Sequence, residues 1–211
     1  MAYAQYHLDI LRPGWSKSMD GGHSNAACTI TLLKGPNTIL IDPGSPWDSE
    51  KLRELLKQRN LTFEDINYVI CTHEHVDHIG SLHHFRNAVH IVGTTIYKDT
   101  YIDHDFAHHI AYEIDSGIKV VHTPGHSSRD VSVVAKNVEA HGRVAVVGDL
   151  FECEEDLRDP RLWQKSSCNP NVQLEYRTKI LEKANFIVPG HGPAFKVTPE
   201  VRRLPLIALE P

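Results

Sequence analysis

The sequence predicts an α/β protein, a sandwich of two mixed sheets with helices on the outer faces. Short apolar β-branched runs recur along the chain, among them Ile39-Leu40-Ile41, Tyr68-Val69-Ile70-Cys71, Ile118-Lys119-Val120-Val121, Val144-Ala145-Val146-Val147 and Phe186-Ile187-Val188. Each has strand length and is bounded by turn residues. Helical patterns with an apolar face lie between them. At 211 residues, 41% hydrophobic and 23% charged, the chain suits one domain with a sizeable core and is too short for two ordinary ones. Residues 1–24 and 198–211 are expected to be peripheral to that domain.

Taken in order, residues 26–33 and 38–42 read as a hairpin closed by Lys34-Gly35-Pro36-Asn37. Residues 48–59 read as an amphipathic helix, with Leu52, Leu55 and Leu56 on one face and Lys51, Arg53, Glu54 and Lys57 on the other. Ser45, Pro46 and Asp48 supply its start signals and Asn60 its stop. Strand 68–71, a helix over 79–85 and strand 89–92 then form a βαβ-like unit. Further strands are expected at 118–122, 130–135 and 143–147, a helix at 172–184 and a last strand at 186–188.

The densest chemistry is Thr72-His73-Glu74-His75-Val76-Asp77-His78, directly after the apolar run ending at Cys71. Three imidazoles and a carboxylate at a strand end deliver several ligands to one point, and these donors suit zinc and similar divalent ions. One metal with an open position makes water a nucleophile near neutral pH, and two can also clamp the reacting group. A hydrolase is therefore expected. His73 and His75 point the same way in an extended loop, whereas Asp77 and His78 follow as the chain turns toward a helix. The plain alternative is a His-rich surface loop in a chain with 15 histidines. Three other strand ends argue against it: Thr123-Pro124-Gly125-His126, Gly148-Asp149 and Pro189-Gly190-His191-Gly192. In each, Gly or Pro lets the backbone turn sharply and expose one ligand-type side chain.

In their order along the chain, His73, His75, Asp77, His78, His126, Asp149 and His191 resemble the complete ligand set of the metallo-β-lactamase superfamily. Ile39-Leu40-Ile41-Asp42-Pro43-Gly44 is similar to its early strand ending in an aspartate. The resemblance covers about residues 25–196 and implies an αββα sandwich. It implies that His73, His75 and His126 hold one metal, that Asp77, His78 and His191 hold a second, and that Asp149 bridges them. A hydroxide between the metals would be the nucleophile. Asp149 and Asp77 are the expected catalytic carboxylates, Asp77 ligating or relaying a proton. Two divalent ions are implied, zinc by default, because three histidines leave a position for water; iron or manganese suit the same donors. Asp42 would either orient a ligand or serve turn chemistry.

Within the superfamily, the interval from Asp149 to His191 is too short for the inserted cap domain of one nuclease branch. Too little chain follows His191 for the helical glutathione-binding domain of glyoxalase II enzymes. Secreted zinc β-lactamases usually carry a thiolate or serine in place of Asp149, and diiron flavoproteins a glutamate in place of His75. Segments 130–134, 147–152 and 188–197 resemble a short animal branch associated with cleaving the 3′ ends of replication-dependent histone pre-mRNAs. That resemblance implies a dizinc endoribonuclease with an RNA partner, homodimeric, in cytoplasm and nucleus. Glu74 and Val76 depart from the branch at positions that are not ligands. The alternative is a thioester, ester or lactone hydrolase of the glyoxalase II-like type. A scaffold with a vestigial site is the weakest reading, because all seven positions hold competent ligands.

Composition speaks only faintly for RNA. With 27 acidic and 22 basic residues the net charge is −5, so non-specific phosphate affinity should be low. Arg158, Arg161 and Lys165, or Arg202 and Arg203, beside Trp163 would suit single-stranded RNA if they clustered; a solvated charged loop is the preferred reading. His104 and His108 are four apart, but nothing else converges there. The 104–109 segment is read as a loop over the main site that touches substrate or a second copy. The four cysteines lie at no disulfide or CxxC spacing, which fits a reducing compartment. No apolar run approaches the ~20 residues of a membrane helix, and residues 1–15 hold no signal-peptide core. An intracellular protein without a membrane partner is expected.

Overall fold

The computed structural model describes residues 3 to 208. Strand β1 (His7–Arg12) leads into a separate hairpin, β2 (Trp15–Ser18) and β3 (Ser24–Ala27). Then come β4 (Ile30–Lys34), β5 (Thr38–Ile41), helix α1 (Ser49–Lys57), β6 (Tyr68–Cys71), the one-turn helix α2 (Val76–Ile79) and β7 (Val89–Val92). With β8 (Thr95–Lys98) and β9 (Thr100–Ile102) they build a seven-stranded mixed sheet, ordered β1-β4-β5-β6-β7-β8-β9. Its parallel pairs, β5 with β6 and β6 with β7, lie at the centre.

The second sheet is ordered β10-β11-β12-β13-β14-β15. It comprises β10 (Tyr112–Glu113), β11 (Ile118–His122), β12 (Val131–Val138), β13 (Gly142–Gly148), β14 (Phe186–Pro189) and β15 (Phe195–Lys196). Helix α3 (Pro170–Lys183) is the crossover between the parallel neighbours β13 and β14, and α4 (Pro199–Arg202) follows.

Period-two alternation explains the layers. Ile39 and Ile41 of β5, Ile70 of β6, and Val144 and Val146 of β13 meet between the sheets. Leu40 and Val69 face outward under Leu52, Leu55 and Leu56 of α1. Ala145, Val147 and Ile187 face outward under Tyr176, Ile180 and Leu181 of α3. Strands buried on both faces must be apolar throughout, hence the continuous runs. The result is the expected αββα sandwich. Among the described residues no helix is long and apolar enough to cross a membrane.

Four boundaries depart from the sequence reading. The expected strand over 26–33 breaks at Cys28 and Thr29, because the Thr29 amide donates to the Gly190 carbonyl at 2.7 Å instead of to a sheet neighbour. The helix expected over 79–85 is α2 plus a 3-10 turn at Leu82–His84. Gly80 interrupts it, donating to Gly44 and passing too close to Pro46 to carry a side chain. Residues 1–24 are not merely peripheral: β1 pairs with β4, and buried Tyr6 exchanges backbone bonds with Asn137 and Glu139. In the tail, Val201 is buried and the Arg202 guanidinium donates to the Glu182 carbonyl at 2.6 Å, at the end of α3; residues 209–211 lie outside the described residues.

Candidate metal centre

The structure brings all seven predicted residues to one rim of the sandwich. β6 ends at Cys71, and the loop beyond it supplies His73 and His75 before α2 carries Asp77 and His78 in its single turn. His126 follows β11, Asp149 follows β13 and His191 follows β14. Two glycines make these junctions possible. Gly148 adopts φ +52 with the Thr72 side chain where its Cβ would stand, and a Cβ on Gly190 would overlap the Asp149 carboxylate. A larger residue at Gly148 would push the Thr72 loop of the first sheet away from β13, and one at Gly190 would displace the Asp149 carboxylate.

Nε2 of His73 and Nε2 of His126 lie 2.9 and 3.1 Å from Nδ1 of His75. Asp149 Oδ2 faces the same point, 3.6 Å from His73 and 3.4 Å from His126. Asp77, His78 and His191 form a second group. There His78 Nε2 lies 3.7 Å from Asp77 Oδ2 and 3.3 Å from Asp149 Oδ1, and His191 Nε2 lies 3.7 Å from Asp77 Oδ2. Asp77 Oδ2, His78 Nε2 and Asp149 Oδ1 are buried without hydrogen-bond partners. Native interiors rarely leave such atoms unsatisfied. Three orphans aimed at one point, beside a set of three imidazole nitrogens and a carboxylate, fit a pair of divalent cations.

Charge in the centre is divided accordingly. Burial, reinforced by neighbouring imidazoles, holds His73 well below its ordinary value, and burial also lowers His126. Both present neutral lone pairs. Burial opposes ionisation of Asp149, but His78, His191 and His73 outweigh it and keep the group well below the carboxylate range. Burial likewise works against charge on His78 and His191. The Asp149 carboxylate overrides it, raising His78 well above its ordinary value and His191 to about 9. The second group therefore demands positive charge, which a cation supplies.

Supporting contacts fix the ring orientations. His78 Nδ1 lies 3.0 Å from Asp42 Oδ2, and His191 Nδ1 lies 3.2 Å from the Ala27 carbonyl, so each turns Nε2 to the centre. Asp42 thus serves both readings offered for it, since it also makes the turn with φ 55. Three contributors were not singled out in the sequence. Glu152 lies with Asp149 and His191, accepts from Ser166 Oγ at 3.0 Å, and is lifted to about 8 by burial and then by Asp149. Asp130 accepts from the Ser127 amide at 2.7 Å and pins the loop after His126. Arg177 grips Asp156 through bonds of 2.6 and 3.0 Å, and Asp156 in turn accepts from the Glu152 amide at 2.7 Å. Only its place three residues after Asp149 could have suggested Glu152.

Two secondary expectations fare differently. Trp163 is 1% exposed, its ring 4.8 Å from the Arg177 guanidinium. Arg161 is paired with Asp159 at 2.8 Å and Lys165 reaches Ser18. No basic patch with an available aromatic ring forms there; the solvated-loop reading is the better description. His104 faces the Ile110 carbonyl at 3.0 Å and His108 pairs with Asp105 at 2.6 Å. Neither joins a metal-type group among the described residues. His104 instead borders a small cavity with His122 and Ser128, beside the His126 loop.

An αββα sandwich with this centre at its strand ends is a metal-dependent hydrolase. Residues 26–116 match the family described as Metallo-beta-lactamase superfamily. The chain is 37% identical over 195 residues to metallo-beta-lactamase domain-containing protein 1 of Xenopus laevis, across 91% of this chain and 82% of that protein. Among solved structures, it resembles a putative metallo-beta-lactamase from Thermotoga maritima, with TM-score 0.68 and 22% identity over 90% of this chain and 99% of the other. A quorum-quenching N-acyl homoserine lactone lactonase gives TM-score 0.66 and 21% identity over 91% and 93%. The chain belongs to the metallo-β-lactamase superfamily.

Proposed function

We propose that this protein is a dinuclear metal-dependent endoribonuclease, with the 3′ ends of histone pre-mRNA as substrate. The single observation that carries the hydrolase chemistry is the convergence of seven ligand-type side chains, with three buried polar atoms otherwise unpartnered. The choice of RNA rests on the resemblance of segments 130–134, 147–152 and 188–197 to the pre-mRNA branch.

Two divalent cations, zinc by preference, would supply Lewis acidity and an ionised water at neutral pH. His73, His75 and His126 would hold the first, Asp77, His78 and His191 the second, and Asp149 would reach both. Asp42 and the Ala27 carbonyl hold His78 and His191 in the tautomer that offers Nε2. His75 is the exposed member of the first set, so a scissile group reaches the centre from that side. The same reading carries a homodimer resident in cytoplasm and nucleus, to be checked by sedimentation and by imaging of the tagged protein.

The deciding experiment incubates the metal-loaded protein with labelled histone pre-mRNA beside a His126→Ala control. Cleavage lost in the control supports the reading. The second reading, an ester, thioester or lactone hydrolase, is favoured by the acidic net charge of −5. Intact RNA together with turnover of an ester panel would establish it instead.

A further inference from the structure

A cavity of about 740 Å³ opens on the outer face of the second sheet, and none of the seven ligand-type residues lines it. Helix α3 packs over Ala145, Val147 and Ile187, on the β13 and β14 side of that face. Beside it, β11 and β12 supply the groove floor through Val121 and Val134.

The lining is cationic. Lys119 comes from β11, Lys136 from β12, Arg143 from β13, and Lys179 and Lys183 from one face of α3. Two have carboxylate partners at the edge: Lys136 with Glu113 at 3.7 Å and Lys179 with Glu175 at 2.5 Å. Lys119 and Lys183 have no carboxylate partner among the described residues. Arg143 uses one guanidinium nitrogen on the Lys183 carbonyl, at 3.3 Å. Burial, then the charges of Lys136, Lys183 and Arg143, lower Lys119. A chain of net charge −5 has thus gathered like charges against an apolar floor, where their mutual repulsion is weakly screened.

Two further features narrow the ligand. Five cations drawn from three strands and a helix face line one groove, more positive charge than a single phosphate neutralises, which suits a polyanion. One exposed aromatic ring sits beside them, Tyr3, with Lys136 4.8 Å from its centroid, whereas Tyr176 of α3 is buried and its hydroxyl faces His109. An exposed ring beside cations suits a single-stranded base. The groove also runs toward the metal rim. From Lys119 to Thr123, three residues before His126, the strand covers about 13 Å.

We propose that this groove is a second RNA site, in which Lys119, Lys136, Arg143, Lys179 and Lys183 hold backbone phosphates of the single strand flanking the segment at the metal centre. The identity of the polyanion rests on the endoribonuclease reading; the cation array does not.

The test measures anisotropy of a labelled, cleavage-resistant single-stranded phosphorothioate oligoribonucleotide on the metal-loaded protein across a salt series. Lys119→Glu with Lys183→Glu is expected to lower affinity on the order of tenfold at moderate salt. It should also reduce the slope of log K against log salt by about 1.4, two contacts at about 0.7 each. Lys119→Arg with Lys183→Arg keeps the affinity within about twofold. Melting temperature and metal content report whether the Glu pair folds; if it does not, Lys136→Ala and Arg143→Ala are read singly for a slope change of about 0.7 each. Unchanged affinity and slope in folded charge variants, with RNA still bound and cleaved, overturn the groove and leave the endoribonuclease reading standing. If the parent neither binds nor cleaves RNA, that reading falls and the occupant assigned here falls with it. Tripolyphosphate binding lost in the Glu pair would then define a small-anion site.

Discussion

Asp42 and His78 form a buried contact that couples a strand end to the centre: Asp42 Oδ2 stands 3.0 Å from His78 Nδ1, while Oδ1 accepts the Thr72 amide at 2.7 Å. One carboxylate thereby fixes both the backbone entering the ligand run and the ring that leaves it.

Asp42→Asn keeps the shape and removes the charge that holds the His78 tautomer. We expect affinity for the cation that the His78 set would hold to fall about 10- to 100-fold, read by chelator competition. Asp42→Ala also strands the buried Thr72 amide and should cost about 1–3 kcal/mol in denaturant unfolding. Unaltered metal affinity in both variants would remove Asp42 from the centre's support.

Metal uptake by protein stripped with a chelator should release protons. His191 titrates at about 9 and His78 well above its ordinary value, so both are protonated at neutral pH until a cation displaces the proton. Calorimetry in buffers of different ionisation enthalpy should show release on the order of two protons per chain at pH 7. In the stripped protein the raised His191 value contributes stability fully below about 6.5, its unfolded value. That contribution is lost as pH rises toward about 9, so the melting temperature should decline across this window. A flat profile would contradict the assigned charges.

Removing a ligand of the first set and then the shared carboxylate should distinguish loss of one ion from loss of both. His126→Ala leaves Asp77, His78 and His191 in place and should lower bound metal from about two to about one per chain. Asp149→Ala removes the carboxylate facing both groups and should deplete both. Elemental analysis of protein isolated without added metal gives the count and the element together.

Asp156→Ala should be the most damaging change outside the ligands. It leaves the Arg177 guanidinium buried at 0% exposure without its partner and frees the Glu152 amide. An uncompensated charge of this kind costs about 3–5 kcal/mol, measurable as a shift in the urea midpoint. A loss below about 1 kcal/mol would mean the pair contributes no more than an exposed one.

Sequence and structure agree most fully where neighbours in space are neighbours in the chain, and also at His126, Asp149 and His191, each marked by glycine beside the end of an apolar run. The ligands from His73 to His78 are legible because one loop carries them, and the central strands because burial on both faces leaves them wholly apolar. The short helix α2 is not legible, since its end is set by Gly80 meeting Gly44 and Pro46 across the fold. Nor is β1 or the cationic groove, because sheet register assembles Lys119, Lys136 and Arg143 from separate strands. Trp163 teaches the converse. Basic residues adjacent to it in sequence suggest a platform, yet the ring lies beneath Arg177, which no local pattern reveals.

His73 and His75 hang from one lamella of the sandwich, while His126, Asp149 and His191 hang from the other. Ions seated among them would rivet the two halves together. Starvation for that metal in a cell would then do more than silence turnover: with the rivet gone, the layers part more readily and proteases find the chain. The abundance of this protein should rise and fall with metal supply.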